Sequence, residues 1–351
     1  MRRLLVALVI LLGVIFLLTR FAEIQNIILV LQRGNLFFLG LALLAQTVWL
    51  FNLSGIYQSV YQALGMKEKR AHLVKLATAA NFMTVIAPSA GLSAIAVFAT
   101  DARQHNRPAA RVTVACVLFV LFEYLGILVT IVIGLGALYW RNSLHWSQIA
   151  ATTLLVSIAS GVTFLVYLGT KSANALRTAL TRLSRIANTI ARPFLRHEAI
   201  SIDQVSAFAA DMADGIAVLR KSPGWFYRPL FLVLLNKAIL WAVLSFCLMA
   251  FKVPVQASTV IGGLGVAHMF LVGSPMPSGV GIVEGALAVA LNSLGVPLGD
   301  ATVVTLAYRG FSFWMPVMVG MVTIRWVGKV QDAADQGIPA TGASITLGPE
   351  K

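Results

Sequence analysis

The sequence predicts an all-α polytopic membrane protein, with about six full transmembrane helices plus two re-entrant or broken helical hairpins in an inverted-topology repeat. Three observations predict it. Hydrophobic residues make up 58% of the 351-residue chain and charged residues 11%, less than half the roughly 25% usual in a soluble domain. Apolar runs of about 20 residues, long enough to cross a ~30 Å hydrocarbon core, recur along the chain. Two of the longest apolar segments are interrupted by proline and glycine near their middles. Irregular backbone survives at membrane depth only inside protein or beside a water-filled cavity.

The net charge of +14 does not point to nucleic acid, because the basic residues cluster beside apolar runs. That is the distribution of the positive-inside rule. It places both termini in the cytoplasm and the chain in a plasma membrane, a bacterial inner membrane being the expectation. Cys116 and Cys247 both fall within apolar runs. They make no disulfide framework and no metal signature.

In chain order, the first helix is expected at about 4–20, after Arg2 and Arg3, as an uncleaved membrane helix rather than a signal peptide. The second covers about 36–64, and the basic KEKRAHLVK patch follows it. Residues 73–100 are apolar but broken by Pro88, Ser89 and Gly91, with basic residues on both sides. They read as a hairpin that enters from the cytoplasm and returns there. Helices three and four are expected at about 112–140 and 149–169. The polar stretch 171–228 carries nine Lys/Arg against four Asp/Glu. Within it Leu176, Leu180, Leu183, Ile186 and Ile190 alternate with arginines at helical spacing. Such a basic amphipathic helix fits an anionic inner leaflet, and equally the protein's own cytoplasmic face. Helix five follows at about 229–250, the second broken segment at 257–294, and the last helix at 301–324. Residues 1–330 thus form one membrane domain, and 331–351 a polar tail expected to be disordered.

An offset of 189 residues relates the two halves. It carries Pro88–Ser89 onto Pro277–Ser278 and Pro108 onto Pro297, each of the latter two just before a long membrane helix. The half-repeats span about 67–140 and 255–327. Three full crossings separate the broken segments, so the two enter from opposite faces. In inverted-repeat transporters, paired broken helices of this kind meet at a site near the midplane.

The candidate site residues sit on these segments. Glu284 lies on the returning arm of the second hairpin, and Arg309 about nine residues into the last helix. An unpaired charge there costs about 2.5–3.5 kcal/mol on insertion scales. Arg309 is suited to hold an anionic group such as a lipid phosphate, with Glu284 orienting it or exchanging a proton; a salt bridge locking the hairpin is the other reading. Glu123, in the middle of helix three, either faces the same cavity or is held neutral by a hydrogen bond. Asn81 reads as a hydrogen-bonding clamp or a substrate ligand, and Ser89 and Ser278 as polar groups at the two tips. Pro88, Gly91, Pro275, Pro277, Gly279 and Gly281 shape those tips. Gly281 and Gly285 form a GxxxG, for which close helix packing is the expected role. His268 reads as a satisfied polar residue, since no second metal ligand stands at useful spacing.

The chain contains no P-loop, HExxH, GxSxG, CxxC or dinucleotide fingerprint. No cofactor, no metal and no enzymatic activity are expected. The stretch PMPSGVGIVEGALAVALNSLGVPLGDATVVTLAYRGFSFWMPVMVG resembles the C-terminal signature of the flippase-like membrane domain of lysylphosphatidylglycerol synthases. Its Pro- and Gly-rich tip, following Glu and later helical Arg are here Pro275, Pro277, Gly279, Gly281, Glu284 and Arg309. Asn81, Pro88 and Gly91 match the first half more loosely. The resemblance implies a stand-alone member without a synthase domain. It implies a flippase moving a phospholipid or lipid-linked anionic substrate between leaflets, with membrane lipids and a separate lipid-modifying enzyme as partners. The alternatives are a proton-coupled transporter of a small polar solute, a membrane enzyme acting on a lipid, and a non-catalytic partner of a lipid-modifying enzyme.

Overall fold

A computed structural model describes residues 25–86, 92–105, 107–140, 224–274 and 279–324, with parts of 160–185. The helices expected at about 4–20 and, for the most part, 149–169 lie outside the described residues, as does the tail 331–351. So do Pro88, Ser89, Gly91, Pro275, Pro277 and Ser278.

The described elements are helical throughout. In order they are α1 (Leu36–Ala63), α2 (Arg70–Ile86), α3 (Leu92–Gln104), α4 (Ala109–Trp140), α5 (Tyr227–Ala250), α6 (Ala257–Gly273), α7 (Ile282–Ser293) and α8 (Leu298–Arg309). Three of them, within α1, α4 and α5, are long and apolar enough to cross a membrane. Local chemistry sets several ends. Asn35 caps α1 by accepting the Phe37 amide at 2.9 Å, satisfying one of the donors a helix N-terminus leaves open. Beyond α7, Gly295 takes a left-handed φ of 97° while its neighbour Val296 donates back to Leu291, which closes the last carbonyls of the helix.

Helices α1 and α5 run antiparallel and form the most extensive helix pair. Their ends are tied by the Asn35 amide donating to the Ala250 carbonyl, and by Arg228 donating to Gln62 at 2.7 Å. Midway, Asn52 donates to the Leu232 carbonyl at 2.7 Å. Lipid is as apolar as leucine, so such bonds and close packing, rather than a hydrophobic force, hold membrane helices together.

Each broken segment is a pair of helical arms that pack on one another, α2 on α3 and α6 on α7. The first is anchored by Tyr57 of α1, whose ring stacks on Phe98 of α3 at 4.5 Å and on Phe119 of α4 at 3.9 Å. The second is anchored by contact of α6 with α4. There Gly134 and Gly265 approach so closely that a Cβ on either would stand 2.8 Å from the other's Cα. A matching close approach joins α2 to the end of the chain's last helix. A Cβ at Gly320 would lie 2.5 Å from the Thr78 carbonyl oxygen, and Thr78 and Thr323 share a hydroxyl hydrogen bond of 3.0 Å.

Two expectations need correction. The Gly281–Gly285 pair does not serve close packing: a Cβ at either position meets no described atom within 4 Å. Gly281 is needed for its φ of 82°, and Gly279 for its φ of 66°, both in the left-handed region where a side chain is disfavoured. The last helix, expected as one continuous span, is instead interrupted by a π-helical turn at Gly310–Trp314 before it resumes over residues 315–324. There the Met315 amide reaches back five residues to the Gly310 carbonyl. Such single π turns widen a helix locally and are frequent at functional sites.

Of the segment 171–228 only fragments are described. Residues 177–182 are helical, and Leu180 packs against the core of the first hairpin. Arg177, Arg182 and Arg185 are exposed. The described part of this basic helix therefore rests on the protein through its apolar side and turns arginines outward.

Candidate functional site

The second hairpin positions its carboxylate through backbone geometry. Left-handed Gly281 starts α7 and donates its amide to one oxygen of Glu284 at 2.6 Å. The side chain, in the first turn of α7, is thereby turned back over the helix N-terminus, where a negative charge is favoured. The other Glu284 oxygen accepts a hydrogen bond from Arg309 Nε at 2.5 Å. Arg309 is buried, and its guanidinium lies 4.4 Å from the centre of the Phe313 ring, which the π turn presents. The pair ties the last helix to the returning arm of the second hairpin. The charge cost is offset by pairing, a helix N-terminus and an aromatic face together.

A second buried ion pair stands on the neighbouring helices. Lys237 of α5 meets Glu123 of α4 at 2.5 Å. Of the two readings of Glu123, the cavity-facing one describes its position. The carboxyl lines the cavity, and its partner is a cation rather than a neutral donor. Its second oxygen, Oε1, is buried without a hydrogen-bond partner. Lys237 is not among the sequence-derived candidates. Yet the signal is present: it is a lone cation inside the apolar run LFLVLLNKAILWAVL.

Glu123, Lys237 and Arg309 of these pairs line one cavity of about 220 Å³. Asn81 of the first hairpin and His268 of the second line it, with Glu123, Lys237, Tyr308 and Arg309. The two broken segments thus contribute walls to the same space. A second cavity of about 230 Å³ lies toward the first hairpin and shares Trp49, Asn81 and Glu123 with the first. Asn81 therefore stands where the two spaces adjoin. Thr84, one turn further along α2, lines the second cavity. His268 Nδ1 lies 2.8 Å from the Leu264 carbonyl. Only a protonated Nδ1 can make that bond, which leaves Nε2 as the acceptor of the neutral ring. His268 is thus satisfied by its own helix, as its sequence context suggests.

Of the sequence-derived candidates, the structure brings Glu123, Asn81 and Arg309 to one cavity wall and joins Glu284 to it through Arg309. Gly279 and Gly281 lead into the arm that bears Glu284. Chemically, the cavity presents two cations, each matched to a carboxylate, on walls that are otherwise largely apolar. A bound anion would compete with the carboxylates for Lys237 and Arg309.

Comparison with curated proteins and with solved structures finds no significant match. A family model described as the lysylphosphatidylglycerol synthase TM region matches residues 4–320, which include both broken segments, both ion pairs and the whole cavity wall. The apolar helices and that match together make this an integral membrane protein, and the chain belongs to the family of the lysylphosphatidylglycerol synthase transmembrane region.

Proposed function

We propose that this protein moves a phospholipid or a lipid-linked anionic substrate between leaflets, its headgroup passing through the cavity between the two broken hairpins. The observation that carries the reading is the cavity itself. It stands among membrane-spanning helices, draws walls from both hairpins, and holds Lys237 and Arg309 on them. Its volume of about 220 Å³ falls below the roughly 300–1,000 Å³ of sites that enclose a whole drug-sized ligand. That suits a headgroup whose acyl chains stay in lipid. Arg309 and Lys237 hold the phosphate in turn, and Glu284 and Glu123 take the cations back when it leaves.

The two close helix crossings support an inverted repeat. The 189-residue offset carries Gly134 onto Thr323 and Gly265 onto Leu76, while the second crossing joins Gly320 and Thr323 to Thr78. Each half therefore packs its first hairpin arm against the long helix of the other half at nearly equivalent positions. The protein acts as a translocator rather than an enzyme, in a bacterial plasma membrane with both termini inside. The arginines of 177–185 face anionic inner-leaflet lipid, and a separate enzyme supplies the modified lipid.

The test is movement of fluorescent phospholipids in proteoliposomes, wild type against Glu284→Gln and Arg309→Ala. Lipid exchange between leaflets by the wild type, lost in both folded variants, is the expected result. Full-rate movement by a folded Arg309→Ala protein would remove the assignment. Uptake of a small polar solute driven by a pH gradient, without lipid movement, would favour the secondary-transporter reading of the same cavity.

A further inference from the structure

A second cluster of chemistry-bearing side chains stands away from the cavity, at the open base of the first hairpin. His72 lies in the first turn of α2, and Asp101 and His105 in and just beyond the last turn of α3. Thirty-three positions separate His72 from His105 in the sequence, so no spacing motif announces the group. The fold brings it together by laying the two arms side by side. Asp101 Oδ1 then receives two imidazole nitrogens, His72 Nε2 at 2.9 Å and His105 Nδ1 at 3.2 Å; Nδ1 also lies 3.0 Å from the Asp101 carbonyl, a bond it exchanges for the ion as it gives up its proton. All three ligand atoms lie within 4.8 Å of one another.

We propose that His72, Asp101 and His105 form a binding site for a divalent transition-metal ion of the zinc class, which staples the two arms of the first hairpin at their base. Three features of the geometry carry this. Tetrahedral coordination with ligand bonds of about 2.0–2.2 Å puts neighbouring ligand atoms about 3.3–3.6 Å apart. The two distances to Asp101 Oδ1 fall short of that by a few tenths of an ångström, so a small outward movement admits the ion. Asp101 and His105 are four residues apart and face the same way, the helical spacing that lets two side chains chelate one ion. The third ligand comes from the opposing arm, which makes the ion a cross-link rather than an ornament of one helix.

The surroundings fit the same role. Asp101 Oδ2 is held by Arg107 at 2.9 Å, and Arg107 in turn pairs with Glu68. A carboxylate whose outer oxygen is fixed by a neighbour presents its inner oxygen alone, as a one-oxygen ligand steadied by its own partner. Asp101 is buried, whereas His105 is 41% exposed. Water can therefore reach the imidazole side, which supplies the entry path and the remaining coordination position. Two imidazoles with one carboxylate select zinc, nickel, cobalt or copper over magnesium and calcium, which prefer oxygen throughout.

The test uses the full chain, tag-free and chelator-stripped, in nanodiscs, titrated with Zn²⁺ and separately with Mg²⁺. Zn²⁺ is expected to bind one per chain, raise the Tm, and slow hydrogen exchange at both arm bases; Mg²⁺ is expected to do none of these. In H72Q/H105Q the Zn²⁺ affinity is expected to fall at least ~10-fold and the Tm rise to vanish. If the double variant does not fold, H105Q alone carries the comparison, since its ring is the more exposed. A folded wild type that binds no Zn²⁺ below millimolar concentration overturns the site. So does a folded histidine variant that binds it as tightly as the wild type. Neither outcome bears on lipid movement, because none of these residues lines the cavity.

Discussion

Arg309 and Lys237 are buried cations in a membrane protein, where an unpaired charge at the bilayer centre costs about 2.5–3.5 kcal/mol, and each is paired with one carboxylate. Breaking a buried pair by removing one partner leaves the other charge stranded, at up to about 3–5 kcal/mol. Lys237→Met is therefore expected to lower stability in that range, because Glu123 already has one buried oxygen without a partner. The double variant Lys237→Met/Glu123→Leu is expected to be more stable than Lys237→Met alone, since no charge is then stranded. A thermal-unfolding cycle in detergent checks this, and additive losses would show that the two residues are not coupled. Glu284 and Arg309 were readable from sequence because they interrupt an apolar run already marked by prolines and glycines. Lys237 sits in an unbroken helix beside Asn236, where only its charge sets it apart. That the partner of Glu123 is a cation 114 positions away is a fact of tertiary packing that no local pattern carries.

At the scale of single elements, glycines decide how closely the helices approach. Gly285 lies within α7 with no described atom within 4 Å of a Cβ built there. Gly285→Ala should therefore stabilise by about 0.5–1 kcal/mol through the lost backbone freedom of glycine in a helix. Gly265→Leu should do the opposite. Its Cβ would meet the Gly134 backbone at 2.8 Å, and backbone cannot turn aside, so overpacking of about 1–3 kcal/mol is expected. Unfolding midpoints of the two variants in one detergent test both signs, and a tolerated Gly265→Leu would mean that α4 and α6 slide apart freely. The element bounds followed closely from the apolar runs: about 36–64 against Leu36–Ala63, and about 229–250 against Tyr227–Ala250. Hydropathy reports length and depth well, but not backbone winding. The π turn at Gly310–Trp314, which carries the Phe313 ring that lies against Arg309, therefore escaped, because no residue's propensity announces it. The role of Gly281–Gly285 was misassigned for a related reason. Spacing shows that two glycines share a helix face, but not whether a neighbour stands there.

For the whole molecule, the proposed translocation gives the two interhelical crossings a role that can be tested. The first arm of each hairpin rests on the long helix of the other half, α6 on α4 through Gly265 and Gly134, and α2 on the last helix through Thr78 and Gly320. In a translocator built on an inverted repeat, loosening one crossing and tightening the other exchanges the face from which the site is open. A bulky residue at one crossing should then hold the protein toward one opening, and a bulky residue at the other toward the opposite one. The readout is a single cysteine at Ile127, which lines the cavity, in a chain whose buried Cys116 and Cys247 are replaced by alanine. A membrane-impermeant maleimide is added to right-side-out or inverted vesicles. Gly320→Leu is expected to raise labelling from one face and Gly265→Leu from the other, each by several-fold over the parent. Labelling raised from the same face by both substitutions would sink alternation between the halves, even if lipid still moved. The cavity would then be a fixed groove, and the two crossings would be packing contacts rather than a gate.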